Sequence, residues 1–148
     1  MWYTREKRTY TMKKTYESVK RAYPVLITED KTSPQPFLVY IPDFESNTAG
    51  KNLVEAIEMA RNAISEEGIA RQDLGLAIPE PNLTITPKSN EIMSLVDIDL
   101  DRYRRLTDSR TVKKTVTIPS YLNELGNDRD INFSMVLTQA LKKELGIN

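Results

Sequence analysis

The fold of this chain is decided by the stretch Val112-Lys113-Lys114-Thr115-Val116-Thr117-Ile118-Pro119, which predicts one short strand that ends at a proline. Two segments with apolar residues at helical spacing follow it. A strand of this length with no neighbouring partner leaves its backbone groups unpaired. A second copy of the strand, related by a two-fold axis, would pair them. The sequence therefore predicts a homodimer.

The predicted strand has two different faces, because successive side chains point to opposite sides. Val116 and Ile118 lie on the side that can pack on the helices, while Lys113, Thr115 and Thr117 lie on the other. Two such strands form a small, polar, partly basic ribbon, which fits the major groove of DNA. We predict that these three residues contact DNA. Alternating Thr and Val is also ordinary strand composition, so the interpretation depends on the helices that follow.

The tail predicts two amphipathic helices. The first runs from Ser120 to Arg129 and is weakened near its end by Gly126, and Asn132 or Ser134 caps the second. Their apolar faces contain Leu122, Leu125, Phe133, Val136, Leu137, Ala140, Leu141 and Leu145. A unit of fewer than about 40 residues buries too little apolar surface to fold well alone. Intertwining of two copies would remedy this, which is a second argument for a dimer.

The front of the chain, residues 22–104, predicts the element order β-β-(β)-α-β. The predicted elements are a hairpin of strands Tyr23–Thr28 and Phe37–Ile41, a short strand or loop Ser46–Gly50, a helix capped by Asn52 that ends near Gly68, a turn or short helix over Ile69–Ala77, and a strand Met93–Leu100. One helix on one face of a three- or four-stranded sheet is a two-layer α+β module. The charged stretch Arg102–Arg110 predicts a linker to the tail.

The charged residues are balanced overall but unevenly distributed. The chain has 21 Lys and Arg and 21 Asp and Glu. Residues 1–24 hold seven basic and two acidic residues, residues 25–106 hold eight and fourteen, and residues 107–148 hold six and five. The acidic middle is either an ordinary solvated surface or the face for a basic partner.

The chain contains no Cys and no His. This excludes disulfides, thiolate and imidazole metal sites, and Ser-His or Cys-His nucleophile pairs. No apolar run is long enough to span a bilayer, and the basic N-terminus lacks the apolar segment of a signal peptide. We expect a cytoplasmic protein with no cofactor and no membrane partner.

Residues 1–21 predict a flexible basic extension, in which Trp2, Tyr3 and Tyr10 could stack on nucleic acid, although a loose terminus is the simpler interpretation.

Four segments of the front resemble the N-terminal domain of HicB-type antitoxins. They are Tyr23-Pro24-Val25, the run from Phe37 to Phe44, the run from Asn52 to Arg61, and Ile78-Pro79-Glu80-Pro81. The chain departs from that family where a Gly-Cys pair usually follows the Pro-Asp turn, since Glu45-Ser46-Asn47-Thr48 stands there. The segment from Lys113 to Leu145 resembles a ribbon-helix-helix DNA-binding domain.

The resemblance implies a partial ribonuclease H-like β-β-β-α-β domain over residues 22–105, a linker over 106–111 and a dimeric ribbon-helix-helix domain over 112–148. It implies an antitoxin, not an enzyme, that covers the active site of a HicA-type toxin, which is a small protein that cleaves mRNA. It also implies a repressor that binds the operator DNA of its own operon as a homodimer, alone or in a larger toxin–antitoxin assembly.

The resemblance also assigns residues to DNA contacts. In ribbon-helix-helix proteins the strand positions equivalent to Lys113, Thr115 and Thr117 enter the major groove. The start of the second helix holds a phosphate, and the equivalent residues here are Asn132, Phe133 and Ser134. Free backbone N–H groups and the positive end of the helix dipole favour an anion there.

Acidic residues of the front suggest two further kinds of site. Ribonuclease H chemistry needs carboxylates that converge on magnesium ions, and the candidates are Asp43, Glu45, Asp97, Asp99 and Asp101, the last three on one face of the final strand. The alternative to catalysis is a solvated edge or an acidic surface for a basic toxin. For toxin binding we expect contacts from Asp43, Phe44, Glu45, Asp97 and Asp99.

The alternative function for the whole chain is a ribbon-helix-helix transcription regulator whose N-terminal domain senses a small ligand.

Overall fold

Two units make up the chain, Met1–Ser109 and Arg110–Asn148, and the computed structural model describes residues 15–147. The first unit contains β1 (Lys20–Glu29), β2 (Phe37–Ile41), β3 (Ser46–Gly50), α1 (Leu53–Leu74), β4 (Ile92–Asp99) and α2 (Leu100–Thr107). The second unit contains α3 (Ser120–Asp128) and α4 (Phe133–Glu144). The predicted α+β class is confirmed, with one more helix than the sequence predicts.

The four strands form one antiparallel sheet in the order β3-β2-β1-β4. β1 and β2 form the predicted hairpin, and β4 returns beside β1, so that Leu26 lies opposite Tyr40 on one side and Met93 on the other. The segment left open as a strand or a loop is a strand, β3, which pairs with β2. Pro24 is tolerated in the central strand β1 because the pairing with β2 begins only at Leu26.

Helix α1 covers one face of this sheet. The core residues alternate along the strands and recur every three or four positions along the helix, as Val25, Ile27, Val39, Val96, Ala56, Ala60 and Ile64, each at most 1% exposed. The approach of the helix start to β3 is closest at Gly50, where a Cβ atom would lie 2.3 Å from the backbone nitrogen of Ala56. Glycine is required there because backbone atoms cannot move aside.

Helix α1 begins where the sequence predicts but ends later. The Asn52 side chain accepts a hydrogen bond of 2.9 Å from the amide of Glu55, as an N-cap does. The predicted end near Gly68 is wrong, because the helix continues to Leu74 and is capped by Gly75 at φ 69°. Gly68 is buried inside the helix, where a Cβ atom would lie 3.1 Å from both methyl carbons of Leu100. Its small size admits the first side chain of α2.

The segment that follows β4 in the first unit also differs from the prediction. Leu100, expected as the last strand residue, is the first residue of α2, and the Asp99 side chain caps this helix by accepting a hydrogen bond from the amide of Arg102. Residues up to Thr107, expected to be a linker, are therefore helical. This helix is hard to predict from its charged sequence because Leu100 is its only buried residue.

The N-terminal boundary lies earlier than expected. Lys20 and Arg21, predicted as part of a flexible extension, belong to β1, and Val19 is buried in the core. The predicted stacking residues Trp2, Tyr3 and Tyr10 lie outside the described residues.

The second unit contains both predicted helices. Asn132 caps α4, since its side chain accepts a hydrogen bond of 3.0 Å from the amide of Met135. Gly126, expected only to weaken α3, packs so closely on the Phe133 ring that a Cβ atom would lie 2.4 Å from a ring carbon. The predicted strand over residues 112–118 has no ladder with any part of residues 15–147, and its pairing with a second copy stays a prediction. None of the helices in residues 15–147 has the length and apolarity to cross a membrane.

Candidate functional site

The second unit exposes its apolar side chains. Every residue from 110 to 147 is exposed except Gly126. The exposed fractions on the predicted apolar faces are 44% for Leu122, 49% for Val136, 37% for Leu137 and 51% for Leu141. A continuous apolar surface of this kind on so short a unit indicates an interface with another protein surface.

The predicted DNA contacts lie in two places of this unit. Lys113, Thr115 and Thr117 are exposed in the segment before α3, where their hydroxyl and ammonium groups are available to a ligand. Phe133 starts α4 and packs on Gly126, which fixes the separation of the two helices at this point. Ser134 is exposed, and its carbonyl accepts a hydrogen bond from the Thr138 hydroxyl. A helix start offers amides without intrahelical acceptors, which suits a phosphate.

Asp43, Phe44 and Glu45 follow β2 in a 3-10 turn, Pro42–Phe44. The Asp43 carboxylate accepts a hydrogen bond of 3.1 Å from the amide of Asn82 and so holds the long loop before β4. Phe44 packs edge-on against Tyr23, with 5.0 Å between ring centroids, and belongs to the edge of the core. Glu45 has a left-handed backbone, φ 47°, that closes the turn. These three residues therefore support the turn and the core, and Glu45 is the most exposed of them.

Asp97 and Asp99 have basic partners. The Arg61 guanidinium donates to the Asp97 carboxylate at 2.9 Å and to the Asp97 carbonyl at 3.1 Å, so it also covers the outer edge of β4. This hydrogen bond lowers the pKa of Asp97 below its ordinary value. The pKa of Asp99 is lowered mainly by the hydrogen bond from the Arg102 amide, and Lys20 lies 3.6 Å away. Both side chains are therefore carboxylates at neutral pH.

The five acidic candidates are not brought together. Asp43 and Glu45 lie at the 3-10 turn after β2, Asp97 and Asp99 lie on β4, and Asp101 lies in the first turn of α2 instead of on the strand. The expectation that Asp101 shares the face of Asp97 is wrong, because the chain turns into a helix at Leu100. Among the described residues, no group of three or more acidic side chains has an arrangement that could hold a metal ion.

A groove of about 900 Å³ lies where β1 and β4 meet α1 and α2. Its lining includes Lys20, Arg61, Ser65, Asp97, Asp99 and Tyr103. Within it Arg61 is paired with Asp97 and Lys20 with Asp99, and the lining also contains Arg102 and Arg21, the latter paired with Glu80. Such a groove can accept a small polar molecule.

The sheet face opposite α1 carries an apolar surface that the sequence reasoning did not predict. We call it the open face, and it contains Leu26, Leu38, Tyr40, Met93 and Leu95. Leu26 at its centre is 8% exposed, and the other four are 39% to 58% exposed. The alternation of side chains along β4 could have predicted this surface. Val96 and Ile98 face the helix, so Met93 and Leu95 face away from it.

Comparison with solved structures shows likeness to a toxin–antitoxin protein. The chain matches a chain of a toxin–antitoxin complex from Streptococcus pneumoniae with 25% sequence identity and a TM-score of 0.52, over 85% of this chain and 99% of that chain. It also matches the crystal structure of the Burkholderia pseudomallei antitoxin HicB with 20% identity and a TM-score of 0.40, over 84% and 96% of the two chains, which is too weak a likeness to carry an argument. No protein-family model and no curated protein matches the chain. The likeness supports the part of the predicted resemblance that concerns toxin–antitoxin systems: the chain is similar to a protein of a toxin–antitoxin complex.

Proposed function

We propose that this chain is an antitoxin that binds and neutralises a HicA-type, mRNA-cleaving toxin and that represses its own operon by binding operator DNA as a dimer. The observation that carries the proposal is the likeness to a chain of a toxin–antitoxin complex over 85% of the sequence. The residue motifs of the front point to the same family. The chain would act in the cytoplasm, by binding and not by catalysis.

The first unit is the proposed toxin-binding domain, with a partial ribonuclease H-like arrangement over residues 22–105. Its acidity supports this role, because residues 25–106 carry fourteen acidic and eight basic residues. A toxin that cleaves mRNA must bind a polyanion and therefore presents basic side chains. An acidic protein that covers those side chains would exclude RNA from the toxin.

The second unit is the proposed ribbon-helix-helix domain, residues 112–148, and the dimer interface. Its exposed apolar surface supports a second copy as the partner, since charge in residues 107–148 is nearly balanced, with six basic and five acidic residues. The ribbon would place Lys113, Thr115 and Thr117 in the major groove, where these side chains can bond to base edges. Asn132, Phe133 and Ser134 would position a phosphate at the start of α4.

Co-expression tests the toxin half of the proposal. The adjacent reading frame in the operon should encode a small basic protein that arrests growth when expressed alone. Co-expression of this chain should restore growth and yield a complex of defined mass in size-exclusion chromatography with light scattering. Persistent growth arrest with no complex would refute the antitoxin function.

Operator binding tests the DNA half. Replacing Thr115 or Thr117 by Ala should weaken binding to operator DNA by roughly 1–3 kcal/mol, while Thr111→Ala, just outside the predicted strand, should have little effect. Binding should also weaken steeply as salt is raised, because phosphate contacts dominate the affinity. If wild-type protein binds operator and random DNA equally, sequence-specific repression is excluded.

A transcription regulator that senses a small ligand is the second candidate function. The groove of about 900 Å³ in the first unit favours it. A small molecule that changes operator affinity in the purified wild-type chain, together with no effect of the neighbouring protein on growth, would select this alternative.

A further inference from the structure

The open face is a continuous apolar patch across three strands. Leu26 lies in register with Tyr40 of β2 and with Met93 of β4, and Leu95 lies opposite Pro24 of β1. Directly opposed side chains in neighbouring strands are in contact distance. The patch is therefore one surface and not a scatter of exposed residues.

This chain leaves the patch in contact with solvent. Tyr40 is 41% exposed, Met93 44% and Leu95 58%. An antiparallel sheet with one solvated face normally carries polar side chains on that face. A contiguous exposed apolar sheet face is typical of a protein interaction site.

Charge identifies the occupant. Asp97 continues the open face toward the outer edge of β4, because it alternates with the buried residues Val96 and Ile98, whereas Asp99 is engaged by Lys20 and by the amide of Arg102 in α2. The Asp97 side chain is 84% exposed although Arg61 is bound to it. The described part of the surrounding unit is acidic overall, with sixteen acidic residues against ten basic ones in residues 15–109. Two copies of this face would bring like charges together, which disfavours self-association, whereas a basic partner would be attracted.

We infer that the open face is the docking surface for the toxin, with Leu26, Tyr40, Met93 and Leu95 at its centre and Asp97 at its rim. The inference rests on the proposed antitoxin function and names the surface that performs it. It moves the expected toxin contacts away from Asp43, Phe44 and Glu45, which support the turn and the core, to the opposite side of the sheet from α1.

Methionine oxidation tests this surface in the wild-type protein. Met93 on the open face and Met59 on α1 are 44% and 41% exposed, so each serves as the control for the other. Peroxide converts exposed Met to the sulfoxide, and mass spectrometry of peptides measures both rates. With the purified protein of the adjacent reading frame bound, Met93 should oxidise at least about tenfold more slowly and Met59 at an unchanged rate. Protection of Met59 alone, or of neither residue, in a complex of proven mass would overturn the inference.

A pair of substitutions supplies a second test. Leu95→Arg places a cation in the apolar patch and should weaken toxin binding at least about 30-fold, while Leu74→Arg, at the 75% exposed end of α1, should change it by less than about twofold. An unchanged urea unfolding midpoint of the first unit in both variants would show that this unit is folded. Equal toxin affinity of Leu95→Arg and wild type overturns the inference and leaves the antitoxin function intact. If wild type itself binds no toxin, the proposed function fails instead.

Self-association is the remaining competing occupant. Sedimentation of wild type and Leu95→Arg without toxin should show the same oligomeric state. Loss of an oligomer in Leu95→Arg with unchanged toxin affinity would assign the open face to a second copy and overturn the inference.

Discussion

Replacing Leu141 by Ala should weaken the proposed dimer of the second unit. Leu141 lies on the apolar face of α4 and is 51% exposed in the single chain. Complete burial of a Leu side chain contributes about 1.5–3 kcal/mol, so covering the remaining half contributes about 1 kcal/mol. A two-fold dimer contains the side chain twice. The expected loss is therefore about 2 kcal/mol, or roughly a 30-fold weaker dimer.

Sedimentation equilibrium over a range of protein concentrations measures this loss directly. Gln139→Ala is the matched control, because residue 139 lies on the opposite side of α4 and is exposed. Its dimer should be as stable as that of wild type. A Leu141→Ala dimer with the wild-type dissociation constant, or a wild-type chain that stays monomeric at every concentration, would refute the assignment of this surface to a second copy.

Three further predictions concern the first unit. Gly50→Ala should destabilise it by about 3 kcal/mol or more, measured by urea unfolding, because the new Cβ atom would lie 2.3 Å from the Ala56 nitrogen; wild-type stability would contradict the close approach. Asn52→Ala should lower the free energy of unfolding by about 1 kcal/mol in the same assay, because the side chain that caps α1 is lost. Asn52→Asp should leave it almost unchanged, since Asp also caps helices. Equal losses in the two variants would exclude the cap as the cause. The hydrogen bond from Arg61 lowers the folded-state pKa of Asp97 below its ordinary value of 3.8, so the stabilisation is present above that value and lost as pH falls through the folded-state pKa. Asp97→Asn should therefore flatten the acid end of the unfolding midpoint against pH, and an unchanged profile would exclude the ion pair as its cause.

Local signals predicted much of this structure. The sequence predicts the Asn52 cap, and it narrows the cap of α4 to Asn132 or Ser134, because a cap depends on one side chain and an amide three residues later; the structure has Asn132 as the cap of α4. The pairing of β1 with β2 was predictable for a similar reason, since a short turn separates two apolar runs. These features need no knowledge of distant parts of the chain.

Glycine shows where local signals fail. Gly68 and Gly75 both interrupt the helical pattern, and the sequence alone favours ending the helix at the first of them. The structure uses Gly68 to admit Leu100 and Gly75 to cap the helix. The difference depends on a residue 32 positions further along the chain, and α2 itself was missed for the same reason. Its single buried residue gives no periodic pattern to detect.

The open face was hidden by the phase of β4. Read along the sequence, Met93 and Leu95 belong to the same apolar run as Val96 and Ile98. Only the pairing with β1, in which Met93 lies opposite Leu26 and Val96 opposite Tyr23, separates the run into a buried set and an exposed set. The candidate acidic residues can be identified from the sequence because their charge is visible there. The exposed apolar residues beside them can be identified only once the pairing of β4 with β1 is known.

The chain thus carries two exposed apolar surfaces, for which we propose different partners because their charges differ. The surface of the second unit lies in a segment with six basic and five acidic residues, so two copies can approach without net repulsion. The open face lies in a segment with an excess of six acidic residues, fourteen against eight, which disfavours a copy of itself and favours a basic protein. If both assignments hold, each chain of the dimer presents its own open face, and the expected complex contains one toxin for each antitoxin chain. Binding of the toxin would then leave the apolar surface of the second unit available for dimerisation, so that neutralisation and operator binding do not compete for the same residues.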